Sequence, residues 1–287
     1  MTAAKQPKIV HDVVALRQEV AEARRSGKSI GLVPTMGALH PGHVSLVAES
    51  AQRCGFTIVT IFVNPTQFGP NEDFTRYPRT LENDVALVAA AGADLVFAPA
   101  TEVVYPPGHA TFVEMHGVTE PLEGECRPGH FRGVATVVLK LFNMVGPDIS
   151  FFGRKDFQQC LVIKQLVRDF DLPIEIRICP TVREADGLAM SSRNVYLSAD
   201  ERRQALALSR ALKKAEQAVA AGERDVWKIR DTLQTELAAS PGVRVQYAVV
   251  ADAETLREPA TLDRPCVALV AALVGKTRLI DNCPLNG

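Results

Sequence analysis

Two histidines lie three positions apart in residues 34–43, which read PTMGALHPGH. A β-branched run precedes this segment and a helical pattern follows it. Glycine lets a backbone approach a ligand closely, and a helix N-terminus offers unpaired N–H groups and the positive end of its dipole. Both favour a phosphate, and two imidazoles could donate hydrogen bonds to phosphoryl oxygens during group transfer. The alternative is a tight turn with incidental histidines. The segment matches neither the dinucleotide fingerprint nor a Walker A loop.

A second polar segment, FVNPTQFG at residues 62–69, follows the next predicted strand. The carboxyl end of a parallel strand is the edge of a sheet at which ligands bind. Asn64 and Gln67 supply amide donors and acceptors that suit a hydroxy acid. The alternative is an ordinary Asn-Pro turn, which occurs in many loops.

Two further segments combine glycine with cations. Residues 125–133, ECRPGHFRG, carry Arg127 and His130 before a predicted helix, and this density of cations favours anion binding over a solvated loop. Residues 152–159, FGRKDFQQ, again follow a strand. Lys155 would place a point charge on a phosphate, and Gln159 would lie one turn into the next helix. The alternative for this segment is a charged helix start.

A fifth segment, MSSRN at residues 190–194, follows the sequence DGLA. Its two hydroxyl groups and Arg193 could close on a triphosphate. A polar linker explains the same residues equally well.

The elements that would position these residues alternate between strand and helix, which predicts βαβ units and a mostly parallel, doubly wound sheet. Ligands then bind in the crevice at the carboxyl ends of the strands. The predicted strands are 29–34, 56–63, 94–98, 149–152 and 174–179. The predicted helices are 10–25, 43–53, 81–91, 136–145 and 157–170.

The pattern changes after about Val182, where helices are followed by strands that resemble hairpins. Ser198 and Glu201 fit a capping box at the start of a long helix that ends near Ala220. A second helix is predicted over 225–239, and strands over 243–250, 266–273 and 277–280, with Gly275 and Lys276 as the last turn. A smaller α+β domain is therefore expected.

Composition is typical of a globular protein, with 47% hydrophobic and 23% charged residues. A net charge of −1 gives no support for a nucleic-acid partner, and the longest apolar stretch is too short to cross a membrane. The start of the chain lacks the apolar region of a secretory signal. None of the six cysteines forms a Cys-x-x-Cys pair, so we expect reduced, mostly buried thiols and a cytoplasmic location.

The five segments together resemble the pantoate–β-alanine ligase family, whose members belong to the HxGH nucleotidyltransferases. The resemblance covers nearly the whole chain and is strongest over residues 34–198. It implies a Rossmann-like doubly wound parallel sheet (residues 1–182) with a smaller α+β C-terminal lid domain (residues 183–287), in a homodimer. It also implies that ATP, with Mg²⁺, activates pantoate as an adenylate that β-alanine then attacks.

The resemblance implies roles for individual residues. His43, His40, Lys155 and Arg193 would act in catalysis. Pantoate and β-alanine would contact Gln67, Gln159, Asn64, Arg127 and His130. ATP would contact Met36, Gly37, Ala38, Leu39, His40, Pro41, Gly42, His43, Gly153, Arg154, Lys155, Asp156, Val182, Met190, Ser191, Ser192 and Arg193.

Two positions depart from the family pattern or leave it incomplete. Arg154 stands where the family often has glutamate, and we expect this side chain to point outward. Asp84 falls near a position that the family associates with metal, but Asn83 and Leu87 beside it are poor ligands. Magnesium would then be held mainly by phosphate oxygens.

Two other functions compete with this one. A nucleotidyltransferase acting on a phosphorylated alcohol would also use the two histidines and the Ser-Ser-Arg segment, but its substrate phosphate would need a basic pocket near Gln67 and Gln159. The other is a non-catalytic nucleotide-binding or RNA-binding module on the same fold, and the near-neutral charge and the 6% aromatic content argue against an RNA-binding face.

Overall fold

The computed structural model describes residues 6–70 and 72–285, which form two compact units. The N-terminal unit consists of Met1–Arg154 and Gln158–Pro180, and the C-terminal unit of Lys155–Phe157 and Thr181–Gly287. The short Lys155–Phe157 segment therefore belongs with the C-terminal unit, although the chain on both sides of it belongs with the other.

The N-terminal unit is built on a six-stranded sheet in which all paired strands are parallel, in the order β1-β4-β3-β2-β5-β6. This topology confirms the predicted doubly wound sheet. The strands are β1 (Lys8–Val10), β2 (Ile30–Thr35), β3 (Phe56–Ile61), β4 (Leu95–Phe97), β5 (Ile149–Gly153) and β6 (Glu175–Cys179).

Helices connect these strands and cover both faces of the sheet. Consecutive strand residues point to opposite faces, so Leu32 packs in one core cluster and Val33 in the other. Because both faces are covered, the strands are apolar nearly throughout. The helices are α1 (Val13–Arg25), α2 (Pro41–Arg53), α3 (Leu81–Ala90), α4 (Thr101–Val104), α5 (Glu123–Cys126), α6 (His130–Val145) and α7 (Phe157–Asp169).

The order of the sheet creates a switch point between β2 and β5. From β2 the chain proceeds outward through β3 to β4, and from β5 it proceeds outward on the other side to β6. Ligands of doubly wound sheets bind at the carboxyl ends of the strands where the order reverses. The two flanking strands end at Thr35 and Gly153, within the first residues of two of the segments singled out by their sequence.

The C-terminal unit contains two helices and a three-stranded antiparallel sheet. Helices α8 (Ala199–Ala220) and α9 (Val226–Ala238) are followed by β7 (Val243–Asp252), β8 (Cys266–Val274) and β9 (Thr277–Leu285), in the order β7-β8-β9. Ser198 and Glu201 form the predicted capping box. Gly275 and Lys276 make the predicted turn between β8 and β9.

The sequence missed some elements and misplaced some ends. Val10 matches the helical spacing of α1 but lies in β1, a three-residue strand that pairs with β4. Helix α6 begins at His130 and not at 136, because Gly129 adopts a left-handed conformation (φ 81°) that ends the preceding loop. Helices α4 and α5 are too short for a periodic pattern to reveal them.

The six cysteines are all free thiols, and five are buried, as the sequence predicted. No helix in residues 6–70 and 72–285 is long and apolar enough to cross a membrane.

We predict that Ser198→Ala lowers the free energy of unfolding of the C-terminal unit by about 1 kcal/mol. The Ser198 hydroxyl accepts from the Glu201 backbone N–H, and the Glu201 carboxylate accepts from the Ser198 N–H. Trp227 in α9 is the single tryptophan of the chain, so its fluorescence during urea unfolding reports on this unit.

Ser209→Ala is the matched control, because it removes a hydroxyl from the interior of the same helix, where alanine is the better helix former. Equal urea midpoints for the two variants would contradict a role for the capping box.

Candidate active site

The turn between β2 and α2 is held in an unusual conformation by one buried carboxylate. Gly37 and Ala38 both have positive φ, at 81° and 51°, which costs a non-glycine residue free energy. Asp84 of α3 is fully buried, and its two oxygens accept hydrogen bonds from the N–H groups of Ala38 (3.0 Å) and Leu39 (2.8 Å). The Thr80 hydroxyl also donates to Asp84 (3.1 Å). Asp84 therefore compensates the strain of the turn.

His40 and His43 form the N-terminal cap of α2, which begins at Pro41. His40 Nδ1 accepts from the Gly42 N–H (3.2 Å), and His43 Nδ1 accepts from the His40 N–H (3.4 Å). The two ring centroids are 4.1 Å apart. A nitrogen that accepts a hydrogen bond carries no proton, so the neutral form of each imidazole has its proton on Nε2.

This cap corrects one part of the sequence argument. We expected unpaired backbone N–H groups at the start of α2, but Gly42 donates to His40 Nδ1 and both His43 and Val44 donate to the His40 carbonyl. Pro41 has no N–H group. Donors for an anion at this position are therefore the imidazole Nε2–H groups and not the backbone of the first turn.

Asn64 and Gln67 lie after β3, at the start and end of a turn that includes a 3-10 helix (Pro65–Gln67). Asn64 is 1% exposed. Its Oδ1 accepts from the Thr66 N–H and from the Tyr105 hydroxyl, and its Nδ2 donates to the Gly133 carbonyl. Since a backbone N–H can only donate and a carbonyl can only accept, these contacts fix the orientation of the Asn64 amide.

The Asn64 amide in turn fixes the Gln67 amide. Asn64 Nδ2 donates to Gln67 Oε1 at 2.9 Å, so the Gln67 Nε2 group must point the other way. Gly133 on α6 allows this arrangement, because a Cβ atom there would lie 2.2 Å from the Thr66 carbonyl oxygen. Gln67 therefore presents its N–H donors, and not its oxygen, beyond the turn.

Arg127 and His130 are engaged with the same turn. Arg127 makes two 2.6 Å hydrogen bonds to the Glu72 carboxylate and donates to the Gln67 carbonyl. Although burial disfavours the charged form, the hydrogen bonds and charge of Arg127 lower the pKa of Glu72. Glu72 thus neutralises the cation that the sequence offered for an anionic ligand.

His130 is neutral at physiological pH. Burial, and then the charge of Arg127, lower the pKa of His130 from 6.5 to about 4. Its Nδ1 lies 2.9 Å from the Gln67 carbonyl and its Nε2 lies 3.0 Å from an Arg127 nitrogen, so Nδ1 donates and Nε2 accepts. His130 supports the Gln67 backbone and brings no positive charge.

The two glutamines at the start of α7 have different surroundings. Gln158 is 3% exposed, and its amide bonds the Glu123 N–H and the carbonyls of Val118 and Pro121. Gln159, which the sequence selected, is half-buried and makes no such contacts with the described part of the chain. Gln159 is therefore the less constrained of the two glutamines.

The remaining candidate residues for ATP lie at the end of β5, directly after it, and in residues 182–193 of the C-terminal unit. Gly153 ends β5, and the Arg154 N–H donates to the Cys179 carbonyl. Lys155 and Asp156 follow, with 3.5 Å between the Lys155 Nζ and an Asp156 carboxylate oxygen. Lys155 and Asp156 belong with the C-terminal unit.

Residues 182–190 of the C-terminal unit form a small hairpin. The Met190 N–H donates to the Val182 carbonyl at 3.0 Å. Ser191 then caps a 3-10 helix (Ser192–Tyr196) by accepting from the Arg193 N–H. The Asn194 amide donates to Glu184 (2.7 Å), which anchors this helix to the hairpin.

The structure adds supporting residues that sequence reasoning did not select: Glu72, Asp84, Tyr105, Gln158 and Asn194. Four of the five lie far along the chain from the groups they hold, so no local spacing could reveal them. Only Asp84 carried a signal, as the acid near the position that the family associates with metal, and the structure shows it bonded to backbone N–H groups.

A doubly wound parallel sheet with two imidazoles beside its switch point is the arrangement of an α/β protein that binds a ligand at the carboxyl ends of its strands. Comparison with known proteins specifies the family. The family model for pantoate-beta-alanine ligase matches residues 8–284. This chain therefore belongs to the pantoate–β-alanine ligase family, whose members are enzymes that condense pantoate with β-alanine in an ATP-dependent reaction.

Individual relatives agree over their full length. The pantothenate synthetase of Moorella thermoacetica is 54% identical over 278 residues, which cover 97% of this chain and 98% of that protein. A crystal structure of the Thermus thermophilus enzyme superposes with a TM-score of 0.94 at 44% identity, covering 98% of this chain and 100% of the other. The Francisella tularensis ligase, solved with β-γ ATP and β-alanine, has a TM-score of 0.77 at 34% identity. The match covers 96% of this chain and 97% of the other.

We predict that Asp84→Asn raises the KM for ATP and lowers kcat. The substitution keeps the shape of the side chain but replaces one accepting oxygen with an NH₂ group. That group is a donor, so one of the two backbone N–H groups loses its acceptor. Such a loss costs about 1–3 kcal/mol. Steady-state kinetics and a urea midpoint measure both effects.

Glu82→Gln is the matched control, since it removes one negative charge from the same turn of α3 at an exposed position. If Asp84→Asn behaved like Glu82→Gln in both measurements, Asp84 would have no special role in the turn.

Proposed function

We propose that this chain activates pantoate with ATP as an enzyme-bound pantoyl adenylate and then joins it to β-alanine. In the first step a pantoate carboxylate oxygen attacks the α-phosphorus and pyrophosphate leaves. In the second step the amine attacks the acyl carbon and AMP leaves. The observation that carries this proposal is the capped histidine pair, whose Nε2–H groups are the donors that a triphosphate requires.

The proposed catalytic residues are His43, His40, Lys155 and Arg193. The pantoate carboxylate and the triphosphate repel each other, and negative charge increases on the departing pyrophosphate. Cations and N–H donors offset both effects, and no side chain needs to act as a covalent nucleophile. Binding mainly supplies alignment, which can lower a barrier by several kcal/mol.

The residues proposed for ATP from the sequence lie in several segments of the chain. Residues 36–43, Gly153 and Arg154 belong to the N-terminal unit, and Lys155, Asp156, Val182 and residues 190–193 to the C-terminal unit. From the family pattern, residues 183–287 are proposed as a lid domain.

Pantoate, in this proposal, is held by Gln67 and Gln159. The Gln67 Nε2–H group would donate to a carboxylate or hydroxyl oxygen of pantoate, because Asn64 directs the amide oxygen away. The family resemblance also implies that Asn64, Arg127 and His130 contact pantoate or β-alanine. Their contacts support another role, which is to hold the Gln67 turn.

Magnesium enters the proposal as part of the MgATP substrate. The described residues contain no group of three or more His, Cys, Asp or Glu side chains that could hold a metal ion. Asp84, the acid near the family's metal position, is engaged with backbone N–H groups. We therefore propose that phosphate oxygens supply the main ligands of Mg²⁺.

The family resemblance also supports a homodimer and a cytoplasmic enzyme, and both are part of the proposal. Light scattering on the purified chain would measure its mass in solution. A monomer at micromolar concentration would contradict the homodimer.

Two assays test the proposed reaction. AMP formation should require ATP, pantoate and β-alanine together. With pantoate alone, the enzyme should exchange labelled pyrophosphate into ATP, because adenylate formation is reversible. AMP release that does not depend on β-alanine, or exchange without pantoate, would contradict the proposal, and a stable dinucleotide product would favour a nucleotidyltransferase instead.

Two substitutions of His43 separate its cap from its proposed chemistry. An asparagine amide can reproduce the Nδ1 acceptor, and a glutamine amide can reproduce the Nε2 donor. We predict that His43→Asn keeps the unfolding midpoint but lowers kcat by about 10²- to 10³-fold.

His43→Gln should retain more activity than His43→Asn and unfold at a lower urea concentration. Turnover and urea unfolding of the two variants measure this contrast. The reverse ranking of activities would assign His43 a structural role only.

A further inference from the structure

The last strand of the C-terminal unit carries two neighbouring polar residues in an apolar sheet. Asp281 and Asn282 on β9 are 3% and 2% exposed. Burial of a carboxylate and an amide is unfavourable unless both are hydrogen-bonded, so their contacts indicate why these side chains are polar. Asn282 contacts one segment of the proposed ATP site, and Asp281 contacts the hairpin that leads to another.

Asn282 holds the backbone of Lys155. Its Nδ2 donates to the Lys155 carbonyl at 2.9 Å, over a sequence separation of 127 residues. Lys155 and Asn282 belong to the same compact unit. This hydrogen bond therefore explains part of why the Lys155–Phe157 segment belongs with the C-terminal unit and not with the sheet that precedes it.

Asp281 holds the hairpin at residues 182–190. Its carboxylate accepts from both terminal nitrogens of Arg183, at 2.6 and 3.0 Å, in a bidentate pair. The Arg183 guanidinium also donates to the Gly187 carbonyl (3.2 Å), across the tip of the hairpin. Arg183 pairs with Ala189 in an isolated β-bridge, between the Val182–Met190 contact and the tip.

The two contacts connect one rigid strand to two loops. β9 pairs with β8 along its whole length, so its backbone is fixed by the sheet. The Lys155 backbone and the hairpin that leads to the 3-10 helix are thereby held from a single element, and both segments are proposed to meet the triphosphate. Positioning of charged groups by buried hydrogen bonds matters because a misplacement of about 1 Å can cost 10²-fold in rate.

We propose that Asp281 and Asn282 are positioning residues for the adenylate-forming step: Asn282 sets the Lys155 segment, and Asp281, through Arg183, sets the segment that leads to residues 190–193. This inference rests on the proposed function, because it takes Lys155 and Arg193 as groups that meet the triphosphate. Since the triphosphate is consumed in the first half-reaction, the second half-reaction does not depend on these positions.

The test compares the two half-reactions in Asn282→Leu, which removes the donor without adding charge. We expect pantoate-dependent pyrophosphate exchange to fall by about 10- to 100-fold. AMP release from chemically prepared pantoyl adenylate and β-alanine should stay within about threefold of the wild-type rate, because alignment of the triphosphate no longer matters there. Equal losses in both assays, or no loss in either, would overturn the proposal.

Asp281→Asn is the second variant, since its amide oxygen can still accept from Arg183 and preserve the fold. It should show the same selective loss of exchange, to a smaller extent. Arg278→Gln is the matched control: it lies on β9 but bonds Gln246 of β7, and both half-reactions should be unchanged.

Failure of the proposed function would be distinguishable from failure of this inference. If the proposed function is wrong, the wild-type chain itself will show no pantoate-dependent pyrophosphate exchange. If pyrophosphate exchange is normal in the wild type and in both variants, Asn282→Leu and Asp281→Asn, only the positioning role is contradicted.

Discussion

The geometry of the candidate site depends on the buried carboxylate of Asp84. The turn after β2 places two consecutive residues, Gly37 and Ala38, at positive φ, and Asp84 accepts the N–H groups of Ala38 and Leu39. Without an acceptor the N–H groups in this buried turn would lose their hydrogen bonds, at a cost comparable to the strain itself. The position of His40 at the start of α2 follows from this turn.

A second constraint decides where the imidazole protons lie. Because both Nδ1 atoms accept backbone N–H groups, the cap that starts α2 also orients the Nε2–H donors. Helix capping and presentation of donors are thus the same interaction. A similar constraint applies after β3. A backbone N–H and a backbone carbonyl orient the Asn64 amide, and the Asn64 amide in turn orients the Gln67 amide. In both places a hydrogen bond within the protein determines which donor groups remain for a ligand.

The sequence predicted most of the sheet because both of its faces are covered, and apolar runs between glycines identify such strands directly. It also predicted His40, His43, Gln67 and Lys155 as site residues, because they follow strand ends. It could not predict the contacts of Arg127, since Glu72, its partner, lies 55 residues away. Nor could it find Asp281 and Asn282, because their partners are separated from them by 98 and 127 residues and no local period connects them.

The surroundings of Gln67 favour a hydroxy acid over a phosphorylated substrate. A doubly charged phosphate would need uncompensated cations, but Arg127 is paired with Glu72, and the lowered pKa of His130 keeps that ring neutral. What remains at the turn is a neutral amide donor of fixed orientation. Such a donor can bind a hydroxyl or a single carboxylate oxygen without the desolvation cost of burying an unpaired cation. The charge that the reaction itself requires is then left to the residues that meet ATP.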